Sequence, residues 1–102
     1  MSTDHAIEKL SSAAIPDNVA LAHEVGWPDD DADWRVIHEA ALVLGARREG
    51  RLLAQGALGS YEPGAGTIAK MIVLPSLQRQ GFGAAILDAL LAEAELRTLT
   101  TL

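Results

Sequence analysis

The chain has no cysteine. Disulfides, thiol nucleophiles and thiolate metal sites are therefore excluded. Aromatic residues are few, one Phe, one Tyr and two Trp in 102 residues, so a core must be built from Leu, Ile, Val and Ala. Positive charge is scarce too: eight Lys and Arg face fourteen Asp and Glu, for a net charge of −6. That balance opposes non-specific attraction to nucleic-acid phosphates or an anionic membrane; it is mildly compatible with a cationic partner such as an amine, but is also common among acidic soluble proteins. No apolar run approaches the roughly 20 residues needed to span a bilayer. Residues 1–9 carry Asp4 and Glu8 and lack the basic and long apolar regions of a signal peptide. The simplest expectation is a cytoplasmic protein with no membrane or nucleic-acid partner. His5, His23 and His38 are scattered without ligand spacing, so no metal is expected. The nucleotide fingerprints Gly-x-Gly-x-x-Gly and Gly-Lys-Ser/Thr are both missing.

What is present is ample apolar material, 49% of residues, enough for one small domain in which every element feeds a single core. Residues 5–11 suit a short strand, with Ala6, Glu8 and Leu10 on one side. Pro16 and Asp17 favour a helix start, Val19, Ala22 and Val25 recur at helical spacing, and Gly26 is a natural stop. Pro28-Asp29-Asp30-Asp31 is a turn and capping cluster, and Trp34, Ile37, His38 and Ala41 mark a second amphipathic helix. His38 on that face reads as a partly packed polar residue. The pattern then changes to strands at 42–47 and 51–61, joined by a turn at 48–50. Gly56 and Gly59 in the second of these mark a bulge or a close approach. A turn at 62–66 leads to a strand over 67–74, and a last helix covers 84–97, with Gly83, Ile86, Leu87, Leu90, Leu91 and Ala94 on one face. Glu93 and Arg97 form an i, i+4 pair, and the β-favouring run 98–102 reads as the start of a strand. The order implies an α+β layer, helices on a mostly antiparallel sheet, in one domain spanning 1–102.

Between the last strand and the last helix lies Val73-Leu74-Pro75-Ser76-Leu77-Gln78-Arg79-Gln80-Gly81-Phe82-Gly83. A strand delivers the chain to a proline, a polar turn follows, and a helix begins at the glycines. Unpaired amides and the helix dipole at such a start favour an anion such as a pyrophosphate. Gly81 and Gly83, without Cβ atoms, let backbone amides approach a bulky phosphate. Gln78 and Arg79 stand at the mouth of the turn, where a guanidinium suits phosphate oxygens. A lone Gly-x-Gly also fits an ordinary helix start.

Met71-Ile72-Val73, Pro75, Gln78, Gly81 and Gly83, in this strand–turn–helix setting, resemble the acyl-CoA signature of the GCN5-related N-acetyltransferase superfamily. The upstream order of two helices and a hairpin fits as well, and Gly26-Trp27-Pro28 with Trp34 is similar to the helix-connecting loop of some bacterial members. The resemblance implies that fold and an N-acetyltransferase that moves an acetyl group from acetyl-CoA to a primary amine of an unidentified acceptor. It implies that backbone groups of Met71, Ile72 and Val73 hold the pantetheine arm and polarise the thioester carbonyl. It further implies that amides from Gln78, Arg79, Gln80, Gly81, Phe82, Gly83 and Ala84 hold the pyrophosphate. The catalytic residues stay unassigned. Many members place a base carboxylate on the motif strand, but Thr67, Ile68, Ala69 and Lys70 include no acid. The tyrosine that members commonly use as general acid lies beyond the matching part. Tyr61 and Glu62 are the nearest candidates for acceptor binding, beside their plainer reading as a packed tyrosine and a turn carboxylate. Lys70 reads as paired with a neighbouring carboxylate or solvated. Asp29, Asp30, Asp31 and Asp33 read as helix caps in the loop that borders the acceptor groove of the superfamily.

In complete members a strand starting near Thr98 splays from the motif strand, and a further helix and two strands complete the sheet. The chain therefore reads as a C-terminally incomplete domain. Its motif strand is an open edge with pairing potential, which offers a route to homo-oligomers. The alternative function is a non-catalytic acyl-CoA-binding or assembly module.

Overall fold

The computed structural model describes residues 6–62 and 64–96. Residues 7–9 form strand β1 (Ile7–Lys9), followed by a 3-10 turn over Ser12–Ala14. Helix α1 (Ile15–Glu24) starts with Pro16 in its first turn, where a missing N–H costs nothing. It ends where Gly26 turns left-handed at φ +84° and the amides of Gly26 and Trp27 fold back onto the carbonyls of His23 and Ala22, both at 3.0 Å.

Helix α2 (Asp31–Ala40) is held by a reciprocal cap. Asp30 accepts from the amide of Asp33, and Asp33 accepts from the amide of Asp30, each at 2.9 Å. The bond from the Asp33 amide holds the Asp30 carboxyl below its ordinary range. Ala41 already has extended backbone and opens β2 (Ala41–Arg48). A two-residue turn at Glu49 and Gly50, both left-handed, returns the chain as β3 (Arg51–Glu62), and β4 (Ala65–Val73) follows. The four strands form one antiparallel sheet in the order β1-β2-β3-β4. A second 3-10 turn, Pro75–Leu77, leads into α3 (Phe82–Leu96).

Helices cover both faces of the sheet. Gln55 reaches Asn18 on α1, whereas Gly56, the next residue of β3, faces α3, and successive strand residues point to opposite sides. A Cβ at Gly56 would run into the Met71 sulfur, and it would sit 2.9 Å from Ile86 Cγ2 and 3.2 Å from Leu90 Cδ1. Glycine here lets α3 lie close on the sheet, which is the close approach expected of it. The seam of α3 is Phe82, Ile86, Leu90 and Ala94, four residues apart and all buried. Leu87 and Leu91, expected on the same face, are 37% and 38% exposed. The sheet meets only a narrow line of the helix, and residues one step around the cylinder lie at its margin.

The α1 side holds a polar chain inside the core. Asn18 and Gln55 are fully buried, and Asn18 Nδ2 donates to Gln55 Oε1 at 2.7 Å. Asn18 Oδ1 is then an acceptor, so His38 Nε2, 2.8 Å away, carries the proton and donates. Burial pushes the His38 pKa down, which favours the neutral ring. The expectation of a partly packed polar residue is met, with a buried partner that no local pattern shows. The expected strand at 98–102, Arg97 of the helix pair and His5 lie outside the described residues.

Candidate functional site

At the motif end of β4 the ladder is irregular. Ala54 pairs with Val73 and Gln55 with Ile72, but the next registered pair is Ala57 with Ala69. Lys70 and Met71 therefore stand opposite the single residue Gly56, a bulge that needs Lys70 at φ +58°. Such a bulge turns the backbone of Met71 out of regular pairing and re-aims the strand edge just before Ile72 and Val73.

The chain leaves the sheet through the bond from Leu74 N to Leu53 O, 2.9 Å, and enters the proline turn, where Leu77 N donates to Leu74 O at 2.9 Å. Arg79 and Gly81 then adopt left-handed backbone, at φ +69° and +90°. At that φ, Gly81 suits glycine alone. Helix α3 begins directly after it, with Ala85 N bonded to Gly81 O at 3.0 Å. Among the described residues the amides of Arg79, Gly81, Gly83 and Ala84 meet no backbone acceptor. Gly83 differs from Gly81: a Cβ there would meet only Val73 Cγ2, at an ordinary 3.5 Å. The fold tolerates a Cβ at 83 and does not require glycine there.

Val25, Trp27, Met71, Ile72, Val73 and Gln78 line a cavity of about 140 Å³ beside this turn. The structure thus brings the expected pantetheine residues and Gln78 together around one hollow, and adds Val25 and Trp27 from the α1–α2 connection. Gln78 Nε2 donates to Val73 O at 3.4 Å and ties the turn to the strand end. Arg79 and Gln80 are exposed, and Gln80 Nε2 reaches Ser76 O at 3.5 Å. Phe82 is 3% exposed, so its side chain belongs to the core. Arg48, from the β2–β3 turn, holds its guanidinium 5.6 Å from the centre of the Phe82 ring. Sequence reasoning missed this cation at the helix start, because only the hairpin geometry carries it there.

The acidic cluster divides. Asp30 and Asp33 cap α2, as expected, but Asp29 does not. Its carboxylate, in a residue 7% exposed, accepts from Lys70 Nζ at 2.9 Å. The same Nζ lies 5.3 Å from the centre of the Trp27 ring, and His23 Nε2 donates to the Asp29 carbonyl at 2.7 Å. The bulged residue of β4 thereby fastens the α1–α2 loop over the cavity. Tyr61 and Glu62 are not brought to this place. Glu62 pairs with Ala65 at the far end of the hairpin, about 20 Å along the strand from Ile72 at 3.3 Å per residue. A larger cavity of about 710 Å³, lined in part by Lys9, Arg35 and His38, touches none of the motif residues. Among the described residues no helix is long and apolar enough to cross a membrane, and no group of three His, Cys, Asp or Glu is placed to hold a metal.

Solved structures share this fold. The ribosomal-protein-S18-alanine N-acetyltransferase of Escherichia coli superposes with a TM-score of 0.82 at 23% identity, over 92% of this chain and 61% of that one. A Mycobacterium tuberculosis protein solved in complex with CoA gives 0.78 at 20% identity, over 92% and 60%. The aminoglycoside 6'-N-acetyltransferase of Acinetobacter haemolyticus gives 0.74 at 22% identity, over 94% and 75%. The chain thus spans about 60% of the length of the first two. No curated protein sequence matches it. The model of the acetyltransferase (GNAT) family, in contrast, matches residues 7–102. With that match over nearly the whole chain, the chain belongs to the GNAT acetyltransferase family.

Proposed function

We propose that the chain binds acetyl-CoA along the Met71–Val73 edge and transfers its acetyl group to a primary amine. The observation that carries this reading is Gly83, a helical glycine that the fold does not need, beside an open helix start and a hollow lined by Met71, Ile72, Val73 and Gln78. Glycine in a helix costs about 1 kcal/mol against alanine, so its presence without a packing reason fits a ligand that occupies the space.

In this reading the amides of Arg79, Gly81, Gly83 and Ala84 hold the pyrophosphate, whereas those of Gln78 and Gln80, expected to join them, donate to the carbonyls of Pro75 and Leu77. Backbone groups of Met71, Ile72 and Val73 hold the pantetheine arm, and one amide polarises the thioester carbonyl as charge develops on its oxygen. The amine nitrogen attacks the carbonyl carbon, the carbon–sulfur bond breaks, and CoA leaves as the thiol. The acceptor is a cationic amine at rest, in keeping with the chain's net charge of −6, and has to shed a proton before attack. No metal takes part. The protein is cytoplasmic, with residues 1–102 belonging to a single acetyltransferase domain. The outer edge of β4, unpaired by any described strand, is open to pantetheine amides or to the strand of a second copy.

One observation favours a second reading, an acyl-CoA-binding or assembly module without turnover: Asp29, the carboxylate beside the cavity, is already engaged by Lys70. Calorimetry with CoA and thiol release from acetyl-CoA over a panel of amines separate the two. Binding with turnover supports the transferase, binding alone supports the module, and no binding contradicts both.

A further inference from the structure

We propose that Lys70 is itself an acetylation site, modified by acetyl-CoA bound in the chain's own groove, and that the modification releases the α1–α2 loop. This inference rests on the acyl-CoA reading of the groove. Lys70 immediately precedes Met71, the first residue of the edge that faces the cavity. Its left-handed backbone at the bulge sends the side chain to the α1–α2 loop, where Nζ lies over Trp27, a second wall of the same cavity. A primary amine on a flexible four-carbon arm is thus tethered beside the place where the thioester would lie, and tethering raises the effective concentration of a nucleophile. Asp29, 2.9 Å from Nζ, is placed to take the proton that the amine must lose.

The step balances. Lys70 gives one proton to Asp29, the nitrogen lone pair forms a bond to the thioester carbonyl carbon, and the carbon–sulfur bond breaks. The thiolate takes the second nitrogen proton and leaves as CoA thiol, and Asp29 returns its proton to water. The product, an acetylated lysine, carries no charge. It forms no ion pair with Asp29 and offers no cation to the Trp27 ring, so the two contacts that fasten residues 26–30 to the bulge are lost together.

The chain contains two lysines, and the other, Lys9, is an exposed residue of β1 at the opposite edge of the sheet. It is an internal control. The test incubates the intact chain with acetyl-CoA and follows acetylation at both positions by peptide mass spectrometry. The expected result is modification of Lys70 at least tenfold faster than Lys9, with the preference lost when acetyl phosphate replaces acetyl-CoA and when the chain is unfolded in urea. Asp29→Asn should slow the Lys70 reaction and leave Lys9 unchanged. Amide exchange at residues 26–30 should quicken in the acetylated chain. Equal rates at the two lysines, or a Lys70 preference that persists with acetyl phosphate, would overturn the proposal. Calorimetry with CoA on the same sample assigns the failure: binding without preference sinks this inference alone, and no binding sinks the acyl-CoA reading with it.

Discussion

Gly81 and Gly83 lie two residues apart but answer to different demands. Gly81 sits at φ +90°, where any side chain is strained, so its loss harms the fold and the site together. Gly83 has helical backbone and room for a Cβ. Gly83→Ala should therefore hold or raise stability, by up to about 1 kcal/mol, while lowering CoA affinity. Thermal melting and calorimetry on one sample check the two halves, and a fall in both would mean that the glycine serves packing. His38 supports a second prediction. The folded ring binds its proton less readily than the unfolded chain does, so below about pH 6.5 the unfolded state holds more protons and stability is lost as the pH falls. Denaturant unfolding at pH 7.5 and 5.5 should show a larger drop for the wild type than for His38→Gln; parallel curves would contradict the assignment. Neither His38–Asn18 nor Lys70–Asp29 was visible in the sequence beyond the general reading that each residue is packed or paired. Their partners lie 20 and 41 residues away and depend on how helices cross the sheet.

At the scale of elements, the local chemistry was far more legible. The proline start and glycine stop of α1, the aspartate cap of α2, the β2–β3 hairpin and the strand–turn–helix of the motif each follow from residue types at short spacing. The helix face of α3 did not, because periodicity defines a broad stripe and the sheet buries only part of it. Phe82, Ile86, Leu90 and Ala94 form the contact, and Gly56 supplies the room. Leu90→Ala should then cost roughly 2–5 kcal/mol as a buried truncation, whereas Leu91→Ala should cost well under that, about 1 kcal/mol or less. Gly56→Val should destabilise by about 1–3 kcal/mol through overpacking against Ile86 and Leu90. Urea midpoints with unchanged slopes measure all three. Similar losses for Leu90→Ala and Leu91→Ala would mean that α3 is rotated from the orientation described. The β4 bulge was equally hidden: nothing in Thr67 to Val73 marks Lys70 as left-handed, and the irregularity becomes visible only when Gly56 is set against its partner strand.

Across the whole molecule, one sheet places the glycine turn, the motif edge and the α1–α2 loop around a single hollow, although they come from residues 25–29 and 70–84. Among the described residues the acceptor candidates form no comparable assembly, since Tyr61 and Glu62 stand at the far end of the hairpin. This asymmetry makes donor binding the central claim and turnover the dependent one. The most direct measurement is CoA titration by calorimetry into the wild-type chain and into Gly83→Leu, with melting curves to confirm that both are folded. Saturable binding by the wild type and a loss of at least about tenfold, ~1.4 kcal/mol, in a variant that melts no lower is the predicted result. Equal binding by the two folded proteins, or none by the wild type, would contradict the assignment of this turn as the acyl-CoA cradle.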